Sequence, residues 1–219
     1  MGAAVVVENV SKSYGDVRAL DGVSLTFAAG SFTALMGPSG CGKSTLLNLL
    51  GALDRPGSGR ILVDGRDVST LSDGERDVYR RRSAGTIFQF FNLLPTMTAA
   101  ENVALPLLLD GVPARQAEER AARGLADVGL EGRAGAYPYE LSGGQMQRVA
   151  VARALSLSPA LVLADEPTGN LDSRIGAQVL ELLVSLSTGR GITVVMATHS
   201  TEAASYAKAI VRLRDGVVV

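Results

Sequence analysis

A chain of 219 residues with a single cysteine, Cys41, holds no internal disulfide framework, and a reducing compartment is its natural setting. Nor is there an excess of either charge. Twenty-one Lys and Arg stand against 22 Asp and Glu, a net charge of −1, so no global basic field recruits nucleic acid. No apolar run is long enough to span a bilayer. The nearest, residues 90–109, is broken by Asn92, Pro95, Glu101, Asn102 and Pro106. The start, Met1-Gly2-Ala3-Ala4, has neither a basic segment nor a cleavage pattern and runs into a strand-like stretch. Any membrane role therefore goes through a separate chain. Internal repeats and low-complexity tracts are missing too. What remains is a chain 47% hydrophobic, enough for one sizeable domain with an inserted lobe or for two small domains.

What is present is organised around Gly37-Pro38-Ser39-Gly40-Cys41-Gly42-Lys43-Ser44-Thr45, a G-x-x-x-x-G-K-[ST] pattern. It follows an apolar stretch, residues 32–36, and opens onto another at 46–50: strand, glycine-rich turn, helix. Glycine lets successive N–H groups face a polyphosphate, and the helix start adds unsatisfied N–H groups and a positive dipole end. Lys43 would reach the β- and γ-phosphates, Ser44 would ligate Mg²⁺, and Thr45 would bond the α-phosphate. The pattern predicts binding of a nucleoside triphosphate. Cys41 fills a small variable position in the loop; a thiol at a helix N-terminus is open to acidification and so to oxidative inhibition.

Around this loop the pattern predicts short strands at 4–10 and 22–27, with Tyr14 in a polar turn between them. A strand at 60–63 leads to an Asp64-Gly65 hairpin, a polar helix spans 72–82, and a strand at 85–88 ends at Gln89. From there to residue 158 only helices are expected, at 99–109, 113–128 and 143–157, with Pro113 first in its helix and Gly129 at a C-cap. Strand and helix then alternate: strands at 161–164 and 193–197, helices at 173–186 and 202–206, and a closing pair at 210–213 and 217–219. Apolar strands without alternation imply a parallel sheet covered on both faces. The expected fold is α/β: a nucleotide-binding core, residues 1–89 and 159–219, with a helical lobe inserted at about 90–158.

Other constellations fit the same chemistry. The strand Leu161-Val162-Leu163-Ala164 delivers Asp165 and Glu166 at its C-terminal end, where α/β sheets place their ligands. Asp165 would hold Mg²⁺, and Glu166 would deprotonate the attacking water. Gln89 is placed to touch Mg²⁺ or that water, and His199, after a neighbouring strand, to contact the γ-phosphate. Tyr14 would stack on adenine. Leu141-Ser142-Gly143-Gly144-Gln145 looks like a second phosphate site at a helix start, weak alone because it has no lysine.

Together these motifs resemble the ATP-binding subunit of ABC transporters over essentially the whole chain. Leu141 to Gln145 matches the signature that separates that family from other P-loop NTPases, and it occurs in order with Gln89, Asp165-Glu166 and His199. The resemblance implies an N-terminal antiparallel β subdomain. It also implies an ATPase in which two copies pair head to tail, each ATP lying between residues 37–45 of one and Ser142, Gly143, Gly144 and Gln145 of the other. Asn170-Leu171-Asp172 matches the loop running along that interface. Phe88 to Val103 and Gly169 to Ser173 look like the lipoprotein-releasing, macrolide-export and peptide-antibiotic-resistance branch, which implies a separate membrane permease and a place on the cytoplasmic face of the membrane. An apolar groove near 90–109 is then expected to receive the permease. Tyr139 stands where the family frequently has His, and Ser200 where it often has Asp. A soluble ATPase of the same class, working in translation or DNA maintenance, is the rival reading. It usually carries two such domains or a long coiled coil, and neither is seen here. A slowly cycling ATP-dependent sensory module is a third.

Overall fold

A computed structural model describes residues 2–219. Ten strands run β1 (Val5–Tyr14), β2 (Val17–Phe27), β3 (Phe32–Met36), β4 (Ser58–Val63), β5 (Arg66–Asp67), β6 (Ala84–Ile87), β7 (Leu161–Asp165), β8 (Thr193–Thr198), β9 (Ala209–Arg214) and β10 (Val217–Val218). Seven α-helices are α1 (Lys43–Leu50), α2 (Asp73–Arg82), α3 (Ala99–Leu109), α4 (Ala114–Asp127), α5 (Gly143–Leu155), α6 (Ser173–Arg190) and α7 (Thr201–Ala204).

The strands form two sheets. One is antiparallel, in the order β2-β1-β4-β5; the other runs β10-β9-β3-β8-β7-β6, with β9 through β6 parallel. The central strands show no polar alternation because both faces are covered. Their period of two survives in what each residue touches. Phe32, Val162, Ala164, Val194 and Met196 pack with α3 to α6, whereas Leu35, Leu161, Leu163, Val195 and Ala197 pack with α1 and the antiparallel sheet. Helix α1 thus lies between the two sheets, and the C-terminal ends of β3, β7 and β8 open at one edge.

Several boundaries differ from the sequence expectation, each for a local reason. Tyr14 is the last residue of β1 rather than part of a turn, because β2 begins at Val17 and pairs with it directly. β6 stops at Ile87, so Gln89 lies two residues beyond the strand. Pro113 is the N-cap of α4, extended at ψ 139°, and not its first helical residue; Gly129 has φ +70° just past the helix end. Helix α6 runs four residues past Leu186 to a left-handed Gly191, its polar end held by Ser187 Oγ donating to the Gly30 carbonyl at 2.7 Å. Where the structure forms a capping box, Ser72 with Glu75 and Thr98 with Glu101, helix starts lie within one residue of the expectation.

Candidate functional site

The loop between β3 and α1 is shaped by close approach. A Cβ on Gly37 would sit 2.2 Å from the Leu213 carbonyl oxygen, and Gly42, at φ +104°, would place one 2.5 Å from that of Ala19. Gly42 is also the N-cap of α1 and offers no side chain, so the first N–H groups of the helix are left for an anion. Lys43 is buried. Its Nζ spans the loop and donates to the carbonyls of Gly37 at 2.7 Å and Pro38 at 3.0 Å, with Cys41 Sγ at 4.0 Å.

Across from the loop, β7 and β8 pair so that Asp165 lies opposite Ala197. The Ser44 hydroxyl lies beside the Asp165 carboxylate. Burial raises the Asp165 carboxyl above its ordinary value; Ser44 pulls the other way, Glu166 adds to the rise, and Lys43 opposes it. Asp165 Oδ1 is buried without a hydrogen-bond partner. A carboxylate oxygen lacking a partner, next to a hydroxyl oxygen, is a donor set suited to a hard divalent cation.

Glu166 leaves the strand at φ +45°, unusual for a residue with a Cβ, and its N–H donates to Ala197 O at 3.0 Å. That turn aims its side chain at β8. Oε1 lies 2.8 Å from His199 Nδ1, and Oε2 accepts from Thr198 Oγ1 at 3.2 Å. His199 therefore sits with the candidate base, on a side chain that is otherwise largely exposed. Thr198 was not singled out by any motif.

Gln89 approaches from the side of Gly169, where its side-chain amide and the Glu166 carbonyl oxygen both come close, and its own backbone carbonyl accepts from Asn170 Nδ2 at 3.0 Å. Beyond it, Phe91 and Asn92 are both left-handed, at φ 61° and 49°. Arg153, on α5, donates to both of their carbonyls, at 2.9 and 2.6 Å. Its largely buried guanidinium is lowered from the usual arginine range by desolvation. Arg153, which no motif marks, is the brace of this turn.

Tyr14 is half-exposed at the end of the long hairpin. Its hydroxyl donates to Asp54 Oδ2 at 2.7 Å, Lys12 Nζ donates to Asp54 Oδ1 at 2.7 Å, and that ammonium lies 5.0 Å from the ring centroid. Thr45 of the loop is beside the same hydroxyl. The ring is thus braced next to the phosphate loop by two residues, Lys12 and Asp54, that no motif marks.

Ser142 caps α5, its hydroxyl accepting from the Gln145 N–H while Gln145 Oε1 accepts from the Ser142 N–H at 2.9 Å. Gly143 faces Leu171 and Phe91. Gly144 is required by packing: a Cβ there would fall 2.2 Å from Ile175 Cγ2 on α6. Gly144→Ala is accordingly expected to lower stability by about 1–3 kcal/mol through overpacking, read as a reduced urea midpoint at unchanged m-value. An unshifted midpoint would mean that α6 yields freely at Ile175.

The stretch 90–109 is divided. Val103, Ala104 and Leu107 are buried in a core shared with α4, α5 and α6, whereas Phe90 is 71% and Leu109 65% exposed. A mostly apolar groove of about 440 Å³ runs past Phe88, Asn92, Leu105, Pro106, Leu109 and Arg153. Among the described residues no helix is long and apolar enough to cross a membrane.

Comparison with known proteins agrees with this geometry. Residues 20–169 match the family model described as ABC transporter. The chain is 48% identical to an uncharacterized ABC transporter ATP-binding protein of Methanocaldococcus jannaschii, over 98% of this chain and 97% of that one. It is also 48% identical to the lipoprotein-releasing system ATP-binding protein of Geobacter metallireducens, over 100% and 99% of the two chains. A solved dimeric structure of an ATP-binding cassette in a post-hydrolysis state, bound to ADP and Pi, superposes with a TM-score of 0.91 at 42% identity. That match covers 98% of this chain and 96% of the other.

Proposed function

This chain belongs to the ABC transporter family, and on that premise we propose that it is the ATP-binding and ATP-hydrolysing subunit of a transporter, two copies closing head to tail on two ATP to drive a separate membrane permease. The observation that carries the hydrolytic reading is the meeting of Ser44, Asp165, Glu166 and His199 at the ends of three parallel strands. In this reading the Lys43 ammonium and the N–H groups of α1 hold the phosphates, and Tyr14 stacks on the adenine. Glu166 takes a proton from water as its oxygen attacks the γ-phosphorus and ADP leaves. His199 turns its free Nε2 to the γ-phosphate, and Gln89 approaches the attacking water from the turn braced by Arg153. Asp165 and Ser44, with Gln89, would hold Mg²⁺, which when bound offsets charge developing on the phosphate oxygens.

Within one chain, Gly143 and Gly144 face Leu171, Phe91 and Ile175 of α6, while Gly37 and Gly42 of the phosphate loop face Leu213 and β2. A second copy gives that second helix N-terminus an anion to meet. We take residues 90–158 as the inserted helical lobe, and the groove lined by Phe88, Leu105 and Leu109, together with the exposed Phe90, as the seat of a permease segment. The protein would then sit on the cytoplasmic face of the membrane through that partner. The named lipoprotein-releasing relative favours this branch over a soluble ATPase in translation or DNA maintenance.

The test is capture from native membranes with tagged Glu166→Gln in ATP and Mg²⁺. A membrane protein is expected to copurify and to be lost when Phe90 and Leu109 are both changed to Glu. Ribosomes or DNA in its place would move the soluble reading forward.

A further inference from the structure

We infer that Thr198 is a positioning residue for Glu166, holding the carboxylate in the one orientation from which it serves as base. The inference rests on the proposed role of Glu166. Thr198 ends β8, is 1% exposed, and lies opposite Met36, the last residue of β3 before the phosphate loop. Its hydroxyl has one proton to give. The oxygen already accepts the Ser200 N–H at 3.0 Å, so the proton goes to Glu166 Oε2 at 3.2 Å. One hydroxyl thus joins the base to the turn that carries His199.

The two contacts on the carboxylate differ in stiffness. The His199 side chain is 61% exposed, on the residue just beyond the strand. Thr198 is β-branched, buried and fixed on a central strand, so its χ1 is confined by packing. The carboxylate itself belongs to a residue in a left-handed conformation, which aims it at β8 but does not fix its rotation. Thr198 supplies that fixation, leaving further lone pairs of the carboxylate for a water proton. A plain structural role, in which the hydroxyl only caps the Ser200 N–H at the strand end, would leave catalysis and Glu166 independent of it.

The two are separated by measuring kcat and KM for ATP, with melting temperature, for Thr198→Val, Thr198→Ser, Glu166→Gln and the double variant Thr198→Val/Glu166→Gln. Thr198→Val is expected to lower kcat about tenfold or more, because small misplacements of a reacting group have effects of that size, with KM within about twofold. Thr198→Ser should restore most of the rate. In the Glu166→Gln background the Val change should have little further effect, as expected of two residues acting as a unit. Native kcat in Thr198→Val with Glu166→Gln impaired would overturn the inference and leave the base intact. An equal loss in both backgrounds, or a Ser variant as slow as Val, would overturn it as well. Native turnover in Glu166→Gln would instead remove the reading on which it stands. Thr198→Ala replaces Val in each comparison if the Val variant does not fold.

Discussion

Glu166→Gln is expected to bind ATP as the native chain does, to hydrolyse it about 10²–10⁴-fold more slowly, and to accumulate with ATP as a closed dimer. Gln keeps the size and the planar end of the side chain. Its oxygen still accepts from Thr198, and the left-handed backbone at this position is undisturbed. What is lost is the capacity to take a proton from water. In the proposed reading binding is carried by other groups, the Lys43 ammonium and the start of α1, which lie on a different element. A single helix terminus contributes up to about 2 kcal/mol in favourable, partly buried geometry. The α5 terminus of a second copy therefore cannot by itself replace a base whose loss is worth about 3–5 kcal/mol by the same tenfold-per-1.4 kcal/mol relation. Steady-state turnover, equilibrium ATP binding and light scattering with ATP and Mg²⁺ read the three effects separately. Near-native turnover would take the base role away from Glu166 whatever the dimer does.

The parts of this site that could be read from sequence are those whose chemistry needs consecutive residues. A phosphate loop uses backbone N–H groups in a row, so Gly37 to Thr45 appears as a pattern. So do Asp165-Glu166 at a strand end and Ser142 to Gln145 at a helix start. The residues that brace them do not. Thr198 reaches Glu166 across 32 positions, Tyr14 reaches Asp54 across 40, and Arg153 reaches Asn92 across 61. Each of those pairs is made by the sheet order or by packing of α5, which no local spacing encodes. Element boundaries divide the same way. Helix α3 starts where Thr98 and Glu101 form a capping box, a signal four residues long. Helix α6 outruns its apolar pattern because Ser187 finds the Gly30 carbonyl, 157 positions away. Gly144 carries a second requirement that the motif did not suggest: beside the expected phosphate binding, its lack of a Cβ lets α5 approach Ile175.

Asp165→Asn is expected to raise the melting temperature in the absence of nucleotide and Mg²⁺ while lowering turnover by about 10²-fold or more, the several kcal/mol that a bound metal contributes. The sign follows from the carboxyl's environment. Burial, with the neighbouring Glu166 charge, raises it above its ordinary value of 3.8 despite Ser44 and Lys43. A carboxyl shifted upward contributes stability only while protonated. That contribution is complete below the unfolded value and is lost as pH rises through the higher folded one. At neutral pH the ionised side chain is therefore a net cost to the fold, and an amide of the same shape removes it. Because the group is only partly shielded from solvent, the gain is expected to be up to about 1 kcal/mol, or roughly 2–4 °C. The difference should shrink as the pH is lowered through the range where native Asp165 takes up its proton. Mg²⁺ with nucleotide should reverse the order, stabilising the native chain by mass action more than the variant, since the partnerless Oδ1 is the oxygen offered to the cation. Melting curves at neutral and mildly acidic pH, with and without Mg²⁺ and a non-hydrolysable ATP analogue, decide this. A variant that melts lower at every pH would show that Ser44 and Lys43 outweigh the desolvation of Asp165. One stabilised by Mg²⁺ and nucleotide as strongly as the native chain would remove Asp165 from the metal site.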